Sequence, residues 1–200
     1  MKTGFVDTYE GGVSRFFCLL FFACCGLTSC ATKSGAQAQC DTNDGAIIQA
    51  VVASEGARVK AGRVLVVYDA TVRPVESRVQ ASDFRSGAMM SALLARNEQR
   101  LTGVVASTLG IRFVDASESS RLFSAYRSSG LSPWQQFYRV FPDAEGALNL
   151  SLPGYANDKC RALVYLELQR GDLSAEDVFV EVVLKRHKWI VVGRCIVYAS

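Results

Sequence analysis

The sequence predicts an α+β fold, in which an antiparallel four-stranded meander near the carboxyl terminus has helices packed on one face. Strand-like apolar patterns in the last 55 residues, joined by short polar links, predict the meander. An aromatic stripe at helical spacing just before them predicts a covering helix. The 200 residues are 50% hydrophobic and 20% charged, which is typical of one globular domain with an appended segment.

Elements in the first half are the less regular ones. Apolar residues at helical spacing predict a helix from Asp44, as N-cap, to Ser54, stopped by Gly56. A buried-type strand follows at 63–68, and Pro74 then interrupts regular structure. Three weaker elements are expected: a helix over about 82–101, a short strand over 110–114 and a helical turn over 118–126.

The second half has clearer signals. Ser132 as N-cap and Pro133 at the first helical position begin a helix that Pro142 ends. Four strands are expected after it, over 146–152, 161–168, 178–184 and 189–198. The links 169–177 and 185–188 are short enough for hairpins. We therefore expect a single α+β domain over residues 44–200.

Residues 16–26 form an uncharged apolar run of eleven residues. A helix across a bilayer needs about 20 apolar residues, so this run is too short to span one. Its length matches the apolar core of a secretory signal, and Lys2 and Arg15 supply positive charge before it. Asp7 and Glu10 are unusual in such a region.

Directly after that run, Leu27-Thr28-Ser29-Cys30 resembles the lipobox of bacterial lipoproteins. The resemblance implies that residues 1–29 are a signal peptide, that Cys30 carries lipid, and that 30–43 are a flexible tether. The absence of Asp after Cys30 resembles the type sent to the outer membrane, facing the periplasm. The partner that this implies is the membrane, through the lipid on Cys30. The alternative is that Cys30 is a bystander beside an ordinary signal.

Processing before Cys30 would remove Cys18, Cys24 and Cys25. An exported protein meets an oxidising compartment, so the remaining Cys40, Cys160 and Cys195 allow at most one internal disulfide. Cys160 and Cys195 are predicted to lie too far apart on non-adjacent strands. Cys40 is the better participant, although buried free thiols are the expected state.

The chain from Trp134 onward resembles an uncharacterised bacterial exported domain. The residues that carry the resemblance are Trp134, Phe137, Tyr138, Phe141, Pro142, Leu150, Ser151, Gly154, Tyr155, 162–165, Lys185, Trp189, Val191, Val192 and Ser200. A glycine-containing turn often precedes the Trp in such hairpins, where this chain has residues 186–188. That domain has no assigned activity, so the resemblance implies a fold and no mechanism.

Candidate catalytic residues are few. His187 is the only histidine, and its charged turn predicts a solvated side chain, which argues against Ser-His-Asp or Cys-His hydrolysis. Asp69 and Thr71 follow a buried strand, a position that often carries function, but capping by Asp69 and backbone hydrogen bonds of Thr71 are the preferred explanation.

Carboxylates also cluster in the predicted sheet. Asp177 and Glu181 are predicted to lie on one face with Glu167, and Glu176 directly precedes Asp177 in the chain. Polar-out alternation explains these residues without catalysis. No Cys-x-x-Cys or Cys/His spacing suggests a metal, and we predict no cofactor.

Together these patterns predict a lipid-anchored, non-enzymatic binding or structural module of the cell envelope. One alternative is a small-ligand binding domain using an aromatic cleft between helix and sheet. The aromatic set is Trp134, Phe137, Tyr138, Phe141, Tyr155, Tyr165, Trp189 and Tyr198. A second alternative is a hydrolase with carboxylates near Asp69. The net charge of +3 is spread along the chain without a long basic run, so we expect no nucleic-acid partner.

Overall fold

The computed structural model describes residues 40, 42–84, 87–99, 101, 111–115, 117–118, 120–122, 124 and 130–200. The predictions for the signal peptide, for the lipobox and for residues 31–39 of the tether lie outside the described residues. Among the described residues, no helix has the length and apolar character needed to cross a membrane.

Four helices are described over their full length: α1 (Asp44–Gly56), α2 (Glu76–Ala81), α3 (Ala88–Arg96) and α4 (Pro133–Val140). The start of α1 is capped by Asn43, whose side-chain oxygen accepts a hydrogen bond from Ala46 N at 2.9 Å. At the start of α4, Ser132 and Gln135 form a reciprocal capping box, as the Ser-Pro start indicates.

The helices differ from expectation at several ends. The N-cap of α1 is Asn43 rather than Asp44, and the helix includes Gly56. The helix expected over 82–101 is reduced to α3, because Gly87 at its N-cap has a φ of 129°, outside the helical region. The short α2 was missed, since six residues give no clear period. Residues 117–118, 120–122 and 124 are helical, close to the expected helical turn.

Seven strands form one sheet: β1 (Val64–Thr71), β2 (Ile111–Val114), β3 (Ala144–Leu150), β4 (Gly154–Tyr155), β5 (Arg161–Gly171), β6 (Ser174–Lys185) and β7 (Lys188–Ala199). The strand order is β2-β1-β3-β5-β6-β7, and the short β4 pairs with β5. Pairing is antiparallel from β3 to β7, whereas β1 is parallel to both β2 and β3. The fold is therefore α+β with a mostly antiparallel open sheet, in which the strands β1 and β2 extend the expected meander by parallel pairing.

Helices cover both faces of this sheet, so the prediction of helices on one face is wrong. Successive residues of β1 point to opposite faces, as in any strand. Leu65 and Val67 pack in the core cluster that contains the apolar side of α1, while Val66 packs with Phe137 of α4. On the face that α4 covers, Leu93 of α3 packs further along the sheet in a third cluster. A three-layer arrangement results, because every central strand is apolar on both faces.

A disulfide joins Cys40 to Cys160, with the two Cα atoms 5.2 Å apart. The expectation of free thiols at these positions is therefore wrong, and Cys40 was the right candidate for a bridge. Cys195 is a free thiol, partly buried on β7. Secondary-structure patterns could not identify the pair, because Cys40 lies before α1, in the segment expected to be a tether.

Two of the residues that carry the resemblance, Ser151 and Gly154, have packing roles in the structure. Ser151 is fully buried, and its hydroxyl accepts a hydrogen bond from Tyr165 N at 2.9 Å. Gly154 lies against the backbone of α3, where an added Cβ would meet the main-chain atoms of Met89 and Leu93. Both residues hold the segment after β3 against β5 and α3, which is a structural role.

Candidate functional site

A polar cavity of about 330 Å³ lies where β1 and β3 end, at Thr71 and Leu150. The carboxyl ends of parallel neighbours are a common position for ligand sites in open sheets. The lining residues of this polar cavity are Thr71, Val72, Arg73, Asn97, Glu98, Asn149 and Glu167. They come from the end of β1 and the two residues after it, the two residues after α3, the end of β3 and the middle of β5, so four segments of the chain meet here.

Two of these polar side chains hold the fold together. The Thr71 hydroxyl accepts a hydrogen bond from Leu101 N at 2.8 Å, and Thr71 N donates to Leu101 O at 2.8 Å. Asn97 is buried, and its amide donates to Leu93 O and Leu152 O while its oxygen accepts from Leu152 N. The Asn97 amide is therefore fully used by backbone groups. Thr71 also bonds to the backbone, which agrees with the structural one of its two interpretations from the sequence.

Three other side chains are available to a ligand. Arg73 and Glu98 are exposed, and Asn149 is partly exposed. None of the three makes a side-chain hydrogen bond or ion pair within the part of the chain that the structure describes. Arg73 and Glu98 carry opposite charges in one cavity without pairing to each other. The polar cavity thus offers a cation, an anion and an amide that are not committed to the described fold.

An apolar cavity of about 690 Å³ adjoins the polar one at Arg73, which lines both. Its other lining residues are Pro74, Val75, Glu76, Val79, Gln80 and Leu94. Val79 and Leu94 form the floor of the apolar cavity, since both pack against the core cluster that contains Tyr165. We call the two cavities together the Arg73 cleft. Its shape suits a ligand with a polar end and an apolar end.

Of the two residues that the sequence singled out at the end of β1, Thr71 lines the cleft and Asp69 does not. Asp69 is partly buried and is not among the lining residues, so the predicted carboxylate site around Asp69 is not where the cavity lies. Thr71 does line it, together with two acids that sequence reasoning missed there, Glu98 and Glu167. Arg73 and Asn149 were also missed, and their only sequence signal is their position at or after a strand end.

Glu167, Asp177 and Glu181 share one face of the sheet, as predicted, but polar-out alternation does not explain Asp177, which is buried on a face that α3 covers. Asp177 pairs directly with Glu167 across the strands, and Glu181 follows on the same face of β6. Asp177 forms an ion pair with Arg78, and Glu181 forms one with Arg161. These two carboxylates are therefore held in structural ion pairs.

Tyr165 is fully buried beside Asp177, and its hydroxyl makes no hydrogen bond of ordinary geometry within the described residues. Burial first, and the negative charges of Glu167 and Asp177 next, raise the pKa of the Tyr165 hydroxyl. Tyr165 therefore stays protonated over the whole physiological range. Its position under α3 makes it a core residue rather than a cleft residue.

Glu176 lies on the opposite face of β6 and belongs to a charged network at the end of α1. Its carboxylate accepts hydrogen bonds from Arg170 at 2.7 Å and from Arg194 at 2.9 Å. Arg194 also reaches the buried Glu55 at 3.3 Å. The hydrogen bond from Arg170 is the largest cause that lowers the pKa of Glu176, so it is charged near neutral pH. The carboxylates of Glu176 and Glu55 are thus held by hydrogen bonds from arginines, which is a structural role.

The other sequence candidates are accounted for separately. His187 is exposed in the β6–β7 turn, as expected. The aromatic set does not line one cleft: it divides among three core clusters, with Phe137 and Phe141 in one, Tyr165 in another and Trp189 in the third. Among the described residues, no group of three or more His, Cys, Asp or Glu is arranged to hold a metal ion.

Comparison of the chain with protein-family models, with curated proteins and with solved structures found no match.

Proposed function

We propose that the chain is a lipid-anchored protein of the bacterial cell envelope whose folded part binds a small amphipathic ligand in the Arg73 cleft. The lipobox-like Leu27-Thr28-Ser29-Cys30 after an apolar run supports the anchor, in the outer membrane and facing the periplasm. The domain is a binding module rather than an enzyme in this proposal. One observation carries the ligand site: Arg73, without a partner in the described fold, stands where a polar and an apolar cavity join.

The unpaired charges indicate the chemistry of the ligand. Arg73 offers a cation and Glu98 an anion, while the Asn149 amide can both donate and accept. A zwitterionic head group satisfies all three, because it brings an anion to Arg73 and a cation to Glu98. The apolar cavity beside Val75 and Leu94 then receives a short hydrocarbon chain, which gains free energy on leaving water.

Hexylphosphocholine below its micelle-forming concentration is a suitable probe, and isothermal titration calorimetry measures its binding. We expect the wild-type chain to bind it and Arg73→Ala to bind about tenfold to a hundredfold more weakly, since a hydrogen bond to a charged group contributes about 1.5–3 kcal/mol. Val75→Asp, at an exposed wall of the apolar cavity, should weaken binding as well.

Arg139→Ala and Leu173→Asp are the matched controls, because both residues are exposed and neither lines the cleft. Both controls should bind the probe as the wild type does. An absence of binding to the wild type, or an equal loss in Arg73→Ala and Arg139→Ala, would contradict the proposed site.

Acid-assisted hydrolysis is a second candidate, favoured by one observation. Glu98, Glu167 and Thr71 line the same polar cavity, and paired carboxylates are the usual machinery of general acid and base catalysis. A panel of nitrophenyl glycosides and esters tests this candidate. Turnover that is lost in both Glu98→Gln and Glu167→Gln would support it, and turnover that persists in both variants would contradict it.

A further inference from the structure

One end of the sheet carries basic side chains that acidic neighbours leave largely unneutralised. Lys185, Arg186, His187 and Lys188 form the β6–β7 turn, and all four are exposed. Lys159 lies beside this turn, because Cys160 O accepts a hydrogen bond from Leu184 N at 2.8 Å. We call these five residues the basic end.

Few acids lie near the basic end in the part of the chain that is described. Glu181 is engaged by Arg161, so this pair adds no net charge. Asp158 is adjacent to Lys159 in the chain, and one of its oxygens accepts a hydrogen bond from Cys160 N at 2.9 Å. The side chains of the basic end make no ion pair with any described residue, which leaves four Lys and Arg charges facing solvent against one Asp.

The backbone at this end is strained in a way that glycine would relieve. Lys159, Arg186 and His187 have φ values of 59°, 49° and 64°, and they are the non-glycine residues at positive φ among those described. Two-residue hairpin turns with positive φ at both positions favour Asn-Gly. Here the turn has basic side chains instead, at a conformational cost that a purely structural turn would avoid.

The disulfide fixes the domain-proximal part of the proposed tether at the same end of the sheet. Cys40 is bonded to Cys160, which is adjacent to Lys159 and bonds to the strand just before the turn. Cys30 is ten residues before Cys40 in the chain. Ten residues span at most about 35 Å, so a lipid on Cys30 would keep Cys160 within that distance of the bilayer surface. The intervening residues 31–39 carry one charge, the positive Lys33.

We propose that the basic end docks on an acidic phospholipid surface, so that residues 159 and 185–188 face the head groups while the 171–173 turn points away. This inference rests on the proposed anchoring at Cys30. Clusters of Lys and Arg next to a membrane attachment bind acidic head groups by charge attraction, which is strong within about a Debye length. The disulfide keeps the tether from shifting the attachment to the opposite end of the sheet.

The test uses the full chain with vesicles of phosphatidylcholine alone and with an equal part of phosphatidylglycerol. Deuterium uptake is measured in peptides that cover 184–189 and 170–174. We expect slower uptake over 184–189 only on the vesicles with phosphatidylglycerol, and no change over 170–174. Slowing of both peptides, or of neither, or equal slowing on both kinds of vesicle, would overturn the proposed docking.

A charge-reversal variant gives a second measurement by vesicle flotation. Lys185→Glu, Arg186→Glu and Lys188→Glu together should lower the preference for phosphatidylglycerol vesicles at least tenfold. The control reverses three exposed basic residues elsewhere, Lys60, Arg121 and Arg139, with the same change in net charge. Equal effects of the two triple variants would overturn the proposal.

Lipidation of Cys30 is tested separately from docking of the basic end. Wild type and Cys30→Ala that float equally on phosphatidylcholine alone would contradict lipidation of Cys30. The preference for phosphatidylglycerol, measured within each chain, still decides whether the basic end docks.

Discussion

Cys40 and Cys160 form a disulfide that ties the segment before α1 to the residue before β5, 120 positions further along the chain. The bond closes a loop that contains α1, the parallel strands β1 and β2, and every residue of the Arg73 cleft except Glu167. Closing so long a loop restricts the unfolded chain strongly, whereas it adds little to a folded state that already holds these strands together.

Cys40→Ser should therefore lower the free energy of unfolding by about 2–5 kcal/mol, measured by urea denaturation under non-reducing conditions. Cys195→Ser is the control, because Cys195 is a free thiol, and it should have little effect. Equal midpoints for the wild type and Cys40→Ser would show that the bond contributes nothing to stability.

Gly154→Ala should destabilise the fold by about 1–3 kcal/mol or more, because the added methyl group meets main-chain atoms of α3 that cannot move independently. The thermal midpoint measures this effect. Gly56→Ala is the matched control, since its added Cβ meets nothing and alanine favours the helix. A thermal midpoint for Gly154→Ala as high as that of the control would argue that α3 does not pack on β4.

His187→Gly should stabilise the protein by about 1 kcal/mol, because glycine adopts the positive φ of 64° without a steric penalty. Lys185→Gly tests the same substitution two residues earlier, at the end of β6, where it should destabilise. Chemical denaturation of both variants gives the comparison. Destabilisation by His187→Gly would mean that the side chain makes contacts that outweigh the strain.

The network around Glu176 predicts a dependence of stability on pH. The pKa of Glu176 is lowered in the folded state. Its contribution to the free energy of unfolding is therefore present above the unfolded-state pKa of about 4.3, and it is lost as the pH falls through the lower folded-state pKa. Acidification from neutral pH to about pH 3 should therefore cost the wild type more free energy of unfolding than it costs Glu176→Gln.

Asp172→Asn is the control for this measurement, because Asp172 is exposed and makes no ion pair with the residues described. Its loss of stability on acidification should equal that of the wild type. The same loss in Glu176→Gln as in the wild type would mean that the ion pairs of Glu176 with Arg170 and Arg194 do not stabilise the fold.

The sequence was most informative where structure is local. Ser132 and Pro133 predicted the start of α4, and the alternation of β5, β6 and β7 predicted their hairpins, because both signals depend on neighbouring residues. The parallel pairing of β1 with β3 was missed, since about 75 residues separate the two strands and no local pattern specifies such a partner. The second helical layer was missed for the same reason.

The Arg73 cleft was predictable only at one edge. Thr71 was singled out because it follows a buried strand, and it does line the polar cavity. Glu98 follows the end of α3, while Asn149 and Glu167 lie on β3 and β5, and only tertiary packing brings them to Thr71. The aromatic residues did not mark the cleft, because Phe137 and Phe141 are core residues rather than cavity walls.

The central claim is that Cys30 carries the lipid that holds this domain at the membrane. Metabolic labelling with a palmitate analogue measures it most directly, followed by recovery of the chain and detection of the label. The wild type should incorporate label and Cys30→Ala should not, while Cys195→Ser should incorporate label as the wild type does. Equal incorporation by the wild type and Cys30→Ala would contradict the claim.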